Sequence, residues 1–501
     1  MSTVLHKKEY YRGAALAGAG EFVGRASTFV SMVIVANMVS REDYGTFALL
    51  LAYGATIGTV ARFGLATAVC RFVAPQTLSP RKEYMGPIRA ALFLWVVATA
   101  IVLTIAVFVS PVVAERLYDR PSLSQMLLVF ALYGVLQALS FIGRGIAQGF
   151  QAFGRMAIAN MLVGVLTIVL TAVLTPRYGM NGAVIAAVAG IFANAVAMMW
   201  ASFHVCGSRM GDWIALPLRG DVARTASFAF PVFISSLFNF PVTWLSLSLL
   251  ANQADLGAAG RFSAANVFRL GAGLVAMAFS APVLPTLVKL SEHRDRSAYQ
   301  SAILESVRIL LCVSVLIAVA VLALPETWLR LMGRNYAGAS DVLIPLMLST
   351  VLAGISVVPG IVLSTGGSGR MWLGVLSNAL WSAALLIAGF LMVRTGDGAR
   401  GLAWAYVISY AAVILFHAGY LRIALSIRLM ALVRPLAFGA AGLLAAWKIA
   451  AVGVIPIQAL LGCIIAGVML YSMLERSERA MLMTRLRRVM ARRDAASEVS
   501  S

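Results

Sequence analysis

The sequence predicts an all-α polytopic membrane protein with about fourteen transmembrane helices, and three observations predict it. The 501-residue chain is 61% hydrophobic and only 12% charged, with mean hydropathy +0.89, whereas roughly a quarter of the residues in a soluble domain are charged. Charge-free windows recur at 90–110, 156–175, 183–203, 225–250, 342–365 and 371–393. Each is long enough to cross a hydrocarbon core, which takes about 20 apolar residues. Strand-type alternation is absent, which argues against a β-barrel.

The spans read in order as 13–38, 44–72, 87–110, 123–149, 155–175, 181–204, 225–250, 258–288, 306–325, 340–365, 371–393, 401–421, 430–448 and 457–474. The first begins after His6, Lys7 and Lys8, as a signal peptide does. Glu21 and Arg25 interrupt its apolar run, which continues to residue 38, so it reads as an uncleaved span. "REDYGTFALL" (Arg41–Leu50) opens the second. The fifth opens on "FGRM" (Phe153–Met156), and "PRYGMNGA" (Pro176–Ala183) leads into the sixth. Pro231 and Pro241 are bend points in the seventh. The eighth opens on "QADLGAAGRFSAA" (Gln253–Ala265) and the eleventh on "SGRM" (Ser368–Met371). Arg434-Pro435 interrupts the start of the thirteenth.

Several of these openings repeat. Asp43 and Gly45 match Asp255 and Gly257, "FGRM" matches "SGRM", and "PRYGMNGA" matches "VRTGDGARGLA" (Val393–Ala403). Both units begin on the same side, which makes them parallel six-helix repeats with a substrate cavity expected between two lobes. The expected domains are an N-terminal lobe (1–208), an inter-lobe linker (209–222), a C-terminal lobe (223–424), an appended helix pair (425–475) and a basic tail (476–501). In the linker, Trp213, Ile214, Leu216 and Leu218 are expected on the inner membrane interface. In the tail, Leu482, Leu486, Val489 and Met490 share one helical face among arginines, which fits a helix on anionic inner-leaflet lipids.

A net charge of +20 raises the possibility of a nucleic-acid partner, and the distribution argues against one. With the N-terminus inside, 27 of the 40 Lys and Arg fall on the inner side, 10 on the outer side and 3 within spans. The positive-inside rule then puts both termini in the cytoplasm. The four cysteines are scattered, with no metal or redox spacing. The four histidines are isolated, no hydrolase or P-loop motif occurs, and no outer loop is long enough for a catalytic domain. No catalytic residue, metal or cofactor is expected. "TGGSGR" (Thr365–Arg370) reads as a tight turn.

What remains are charges at bilayer depth. Arg25 lies mid-span in the first helix, Arg62 in the second and Arg269 in the eighth. Ionisable residues at depth face cavities and mark substrate routes. Three cations with Glu21 as the deep counter-charge suggest an anionic ligand. Glu21 and Arg25, four residues apart, can also simply pair, and Arg62 can snorkel. Polar or aromatic neighbours that fit a wet cavity are Gln137, Arg144 and Gln148 in the fourth span, Asn239, Thr243 and Trp244 in the seventh, and Trp381 in the eleventh. Inter-helix hydrogen bonding and core packing are the commoner fates of such residues. Asp341 fits a helix cap.

"VSREDYGTFALLLAYGATIGTVARFGLATAVCRF", "ADLGAAGRFSAA", "LRLMGRNYAGASDVLIPLMLSTVL", "VLSTGGSGRM" and "GLAWAYVISY" together resemble the Wzx-type polysaccharide (O-antigen) flippases. That family belongs to the multidrug/oligosaccharidyl-lipid/polysaccharide exporter superfamily. The resemblance runs from about residue 10 to 425. It implies a transporter rather than an enzyme, in the bacterial inner membrane. The cargo would be undecaprenyl-pyrophosphate-linked oligosaccharide, moved for O-antigen, lipopolysaccharide or exopolysaccharide synthesis. A polysaccharide polymerase is a candidate partner. In the related lipid II flippase family (MurJ), cavity arginines sit on helices 1, 2 and 8, which by placement correspond to Arg25, Arg62 and Arg269. Wzx-type proteins often carry an acidic residue near the Arg62 position, and this chain departs from that. Two other readings are a cation-coupled multidrug-type exporter, which favours deep carboxylates, and a membrane enzyme of polysaccharide assembly, which favours a large outer loop.

Overall fold

The computed structural model describes residues 20, 22–76, 84–207, 212, 213, 215–280, 283–292, 296–365, 368–395, 398–450 and 455–473. Glu21, Ile214 and the predicted amphipathic tail lie outside the described residues. All regular structure among the described residues is helical, and eleven helices are long and apolar enough to cross a membrane. The elements are α1 (Phe22–Met38), α2 (Arg41–Arg62), α3 (Leu65–Val73), α4 (Met85–Arg116), α5 (Leu123–Gly149), α6 (Phe153–Cys206), α7 (Arg219–Leu237), α8 (Phe240–Gln253), α9 (Leu256–Ser280), α10 (Val283–Glu292), α11 (Arg296–Leu322), α12 (Pro325–Leu331), α13 (Ser340–Thr365), α14 (Ser368–Thr395), α15 (Gly398–Ile423), α16 (Val433–Ala450) and α17 (Ile455–Met473).

The chain forms two compact units. The first comprises Met1–Gly271, Leu329–Val342 and Gly374–Ser409. Two of its helices start where a side chain satisfies one of the first backbone amides. The Ser40 hydroxyl accepts from the Asp43 amide at 3.1 Å, and Glu42 and Asp43 add negative charge to the first turn of α2. At the start of α9, the Asp255 carboxylate accepts from the Ala258 amide at 2.5 Å. Small residues then bring helices close, as membrane packing requires. A Cβ on Gly24 would lie 3.5 Å from the Asn160 Cβ, and one on Gly58 would lie 2.7 Å from the Gln137 side-chain oxygen.

Two predicted spans, the second and the seventh, are broken, and the fifth and sixth are joined by a sharp turn. The predicted second span divides at Phe63 and Gly64, both left-handed (φ 47° and 71°), which separates α2 from α3. Gly64 also sits against the Ala229 backbone, so a side chain there meets both strain and a neighbour. α6 is two helices that meet at Gly179, whose backbone is not helical (φ 57°, ψ −134°). Its two arms, 153–178 and 180–206, double back so that Gly182 packs on Leu174 and Gly190 on Thr167. They account for the predicted fifth and sixth spans. Gly401 packs on Met392 in the same way at the turn from α14 to α15, a local echo of the sequence repeat. The seventh span breaks at Phe238–Asn239, between α7 and α8. The Phe238 carbonyl accepts from the Ser382 hydroxyl, and Asn378 donates to the Ser235 hydroxyl at 2.9 Å. Broken backbone at membrane depth persists where protein groups satisfy it.

The linker differs from expectation at Trp213. Its side chain is buried with Tyr84, Met85, Ile88 and Ala229 rather than lying on the membrane interface. The cause is apolar burial between helix ends, assisted by Arg89, whose Nε donates to the Asp212 carbonyl at 2.5 Å. Leu216 and Leu218 are exposed.

The second unit comprises Ala272–Trp328, Leu343–Leu373 and Tyr410–Ser501. Ile303, Val307, Leu310, Val358, Val362 and Leu421 form its core. α16 and α17 dock on α11 and its C-terminal end through glycines: a Cβ on Gly439 would lie 3.2 Å from Val315, and one on Gly462 would lie 2.9 Å from Ala323, just past the end of α11. The buried Gln458 amide donates to the Ala450 carbonyl at 3.0 Å, closing the end of α16.

Candidate functional site

The site is built on the break in the second span. Because α2 ends at Arg62, its cation sits at a helix C-terminus, where the backbone dipole favours positive charge. The Arg62 guanidinium carbon lies 4.5 Å from the centre of the Phe141 ring on α5. Arg144, one turn further along α5, lies 5.6 Å from the same ring. Its Nη2 donates to the Asn160 carbonyl oxygen on α6 at 3.4 Å. Asn160 in turn faces Gly24, the neighbour of Arg25 on α1. Three helices of the first unit thus gather two half-buried guanidiniums, one aromatic face and one amide. Charges of one sign held together at low dielectric attract an anion far more strongly than they would in water. Arginine suits phosphate because its planar fork donates in pairs.

Arg269 has a surrounding of its own. Its Nε donates to the Asn266 side chain at 2.6 Å, and its guanidinium lies 4.7 Å from the Tyr406 ring. Tyr406 is 1% exposed and is held by Phe262 and Trp381, at centroid distances of 5.8 and 6.0 Å. Arg269 is therefore anchored on a fixed ring. Arg25 is exposed on α1.

The other predicted positions are more local. Gln137 is bonded to Tyr133 and abuts Gly58. The Thr243 hydroxyl donates to the Asn239 carbonyl at 3.0 Å, and Asn239 donates to the Ser235 carbonyl at 3.4 Å, so both close the α7–α8 break. The Trp244 ring packs at 5.4 Å on Tyr53. Asp341 accepts from Arg261 at 2.7 Å. Tyr118, beyond the end of α4, shares a 2.7 Å hydrogen bond with Ser248, and burial pushes its hydroxyl up to about 12, so it stays neutral.

Phe141 and Tyr406, the rings that hold the arginines, were not singled out from the sequence. Arg144 stood there only as a polar neighbour. The three-residue spacing of Phe141 and Arg144 was an available signal, whereas Tyr406 reaches Arg269 only through the fold. Arg308 on α11, 6% exposed, is another deep cation that the sequence reading left among the inner-side charges. Among the described residues no three His, Cys, Asp or Glu side chains gather as a metal site, and the four cysteines form no disulfide.

Comparison with known proteins identifies the family and the fold. The family model described as "Polysaccharide biosynthesis protein" matches residues 11–291. The "EPS I polysaccharide export inner membrane protein EpsE" of Ralstonia solanacearum is 23% identical over 432 residues, covering 81% of this chain and 92% of that protein. The "Stage V sporulation protein B" of Bacillus subtilis is 26% identical over 197 residues, 38% of each chain. The lipid II flippase MurJ in an inward closed conformation superposes with TM-score 0.68 at 14% identity, covering 91% of this chain and 98% of that one. An inward-facing multidrug resistance MATE family transporter of the MOP superfamily gives 0.67 at 15%, covering 80% and 94%. With more than half of its length matched by the family model, and with the fold of the MOP-superfamily transporters, the chain belongs to the polysaccharide biosynthesis protein family.

Proposed function

We propose that this protein is a flippase that moves undecaprenyl-pyrophosphate-linked oligosaccharide repeat units across the bacterial inner membrane by alternating access. The product would be a surface polysaccharide, either O-antigen or exopolysaccharide. The carrying observation is the pair of arginines, Arg62 and Arg144, on one ring inside a bundle of membrane helices. A pyrophosphate is the dianionic group such a pair suits. Family membership and the name of the EpsE relative support the glycan cargo.

In this reading fourteen crossings are made by α1, α2 with α3, α4, α5, the two arms of α6, α7 with α8, α9, α11, α13, α14, α15, α16 and α17. The lobes are 1–208 and 223–424, joined by 209–222. The pair 425–475 is appended, and both termini are cytoplasmic. Arg25, Arg62 and Arg269 bind the pyrophosphate, and Arg144 joins them beside Arg62. Glu21 holds Arg25 until cargo arrives, and its protonation couples release to transport. Anionic inner-leaflet lipids bind the tail, and a polysaccharide polymerase receives the product.

A multidrug-type exporter draws similar support from fold. The cationic character of the site favours an anionic cargo over the cationic drugs such a carrier would take. A deletion strain tests the choice. Loss of surface polysaccharide, with the lipid-linked repeat unit trapped at the inner leaflet, is expected. Normal export with altered drug susceptibility would overturn the flippase reading.

A further inference from the structure

A groove between α5 and the second arm of α6 has no role in the site above. It encloses about 620 Å³, within the roughly 300–1,000 Å³ of ligand pockets. Its walls are apolar, among them Val129, Leu136, Val188 and Phe192. Polar side chains occur at one end only, Gln125 on α5 and Asn181 on α6. From Gln125 to Leu136, and from Asn181 to Phe192, each wall rises about 16 Å at 1.5 Å per residue. That is about half of a hydrocarbon core of roughly 30 Å. The groove is therefore one leaflet long, polar at the headgroup end and apolar toward the midplane. Ile185 and Phe192 on its rim are 51% and 56% exposed, as lipid-facing side chains are. Arg177 and Tyr178, exposed just before Asn181, bring a cation and an amphipathic ring to headgroup depth.

We propose that this groove is a binding site for one acyl chain of a bilayer phospholipid. Gln125 and Asn181 lie under the lipid's ester region and Arg177 faces its phosphate. The length decides between lipids. A phospholipid tail spans one leaflet, as the groove does, whereas a long polyprenyl chain would overrun the end at Leu136 and Phe192. On the positive-inside topology the leaflet is the outer one. α5 also carries Phe141 and Arg144, so the bound chain braces the helix that bears the candidate site. The proposal stands whatever the cargo is.

Native mass spectrometry of the full-length protein, given equimolar phosphatidylethanolamine and undecaprenyl phosphate, tests it. The wild type is expected to retain phosphatidylethanolamine. Ala189→Trp, which fills the groove, is expected to weaken that retention about tenfold, a difference of about 1.4 kcal/mol. Equal retention by the variant, or preferential retention of undecaprenyl phosphate, would overturn the proposal. If Ala189→Trp fails to fold, a benzophenone amino acid in place of Phe192 decides in intact membranes. It should crosslink phospholipid several-fold more than the same probe at Ile101, a lipid-facing position on α4 that is 55% exposed. Equal crosslinking at both positions would overturn the site.

Discussion

Arg62 and Arg144, from different helices, lie over one ring, at 4.5 and 5.6 Å from the centre of Phe141. A cation over an aromatic face gains about 0.5–1 kcal/mol at exposed sites and more when desolvated. Phe141→Leu keeps apolar volume and removes the quadrupole. Export should fall several-fold at unchanged membrane abundance, and Phe141→Tyr should retain most of it. Wild-type export from Phe141→Leu would mean that the ring does not position the arginines for transport.

The crossing of α2 and α9 is as tight as backbone allows. A Cβ on Gly45 would lie 2.7 Å from the Gly260 nitrogen, and one on Gly260 would lie 3.2 Å from the Gly45 nitrogen. Either Gly→Ala substitution must push the helices apart. Overpacking of this kind costs about 1–3 kcal/mol. Thermal denaturation of the purified protein should show a lowered midpoint for both variants, and an unchanged midpoint would deny the contact.

Ser382 and Asn378 satisfy groups freed where α7 meets α8. Ser382→Ala leaves the Phe238 carbonyl short of a donor at membrane depth, a loss of about 1 kcal/mol for a typical hydrogen bond. The expected result is a less stable protein whose stability is regained by Ser382→Thr. Equal denaturation midpoints for Ser382→Ala and wild type would remove this role.

Topology makes a separate forecast from the 27-to-10 division of basic residues. Reporters fused after Ser501 and near Asn335 should report opposite sides of the membrane. Reports from the same side would contradict the inside placement of both termini.

The helices were legible because apolar length is the dominant signal in a bilayer, and the family resemblance was carried by short openings such as "REDYG" and "SGRM". The breaks were less visible. Phe63-Gly64 sits inside an apolar run, and only its packing against Ala229 reveals why the chain turns there. Pro176 and Gly179 did mark the turn within α6. At the site, single arginines could be read from their depth. Their aromatic supports could not, because Tyr406 and Arg269 meet only after folding. Trp213 misled for the opposite reason: an aromatic near a membrane surface suits the interface and the core equally well, and its neighbours decide.

The most direct measurement is translocation of a fluorescent polyprenyl-pyrophosphate-linked oligosaccharide by purified protein in proteoliposomes. It compares wild type with Arg62→Ala, Arg144→Ala and Arg269→Ala. A hydrogen bond to a charged group contributes about 1.5–3 kcal/mol, so each variant should bind cargo roughly ten- to a hundredfold more weakly. Lysine at each position should restore only part of the loss, because it keeps the charge without the fork. Wild-type translocation by all three alanine variants would contradict an arginine-lined pyrophosphate site.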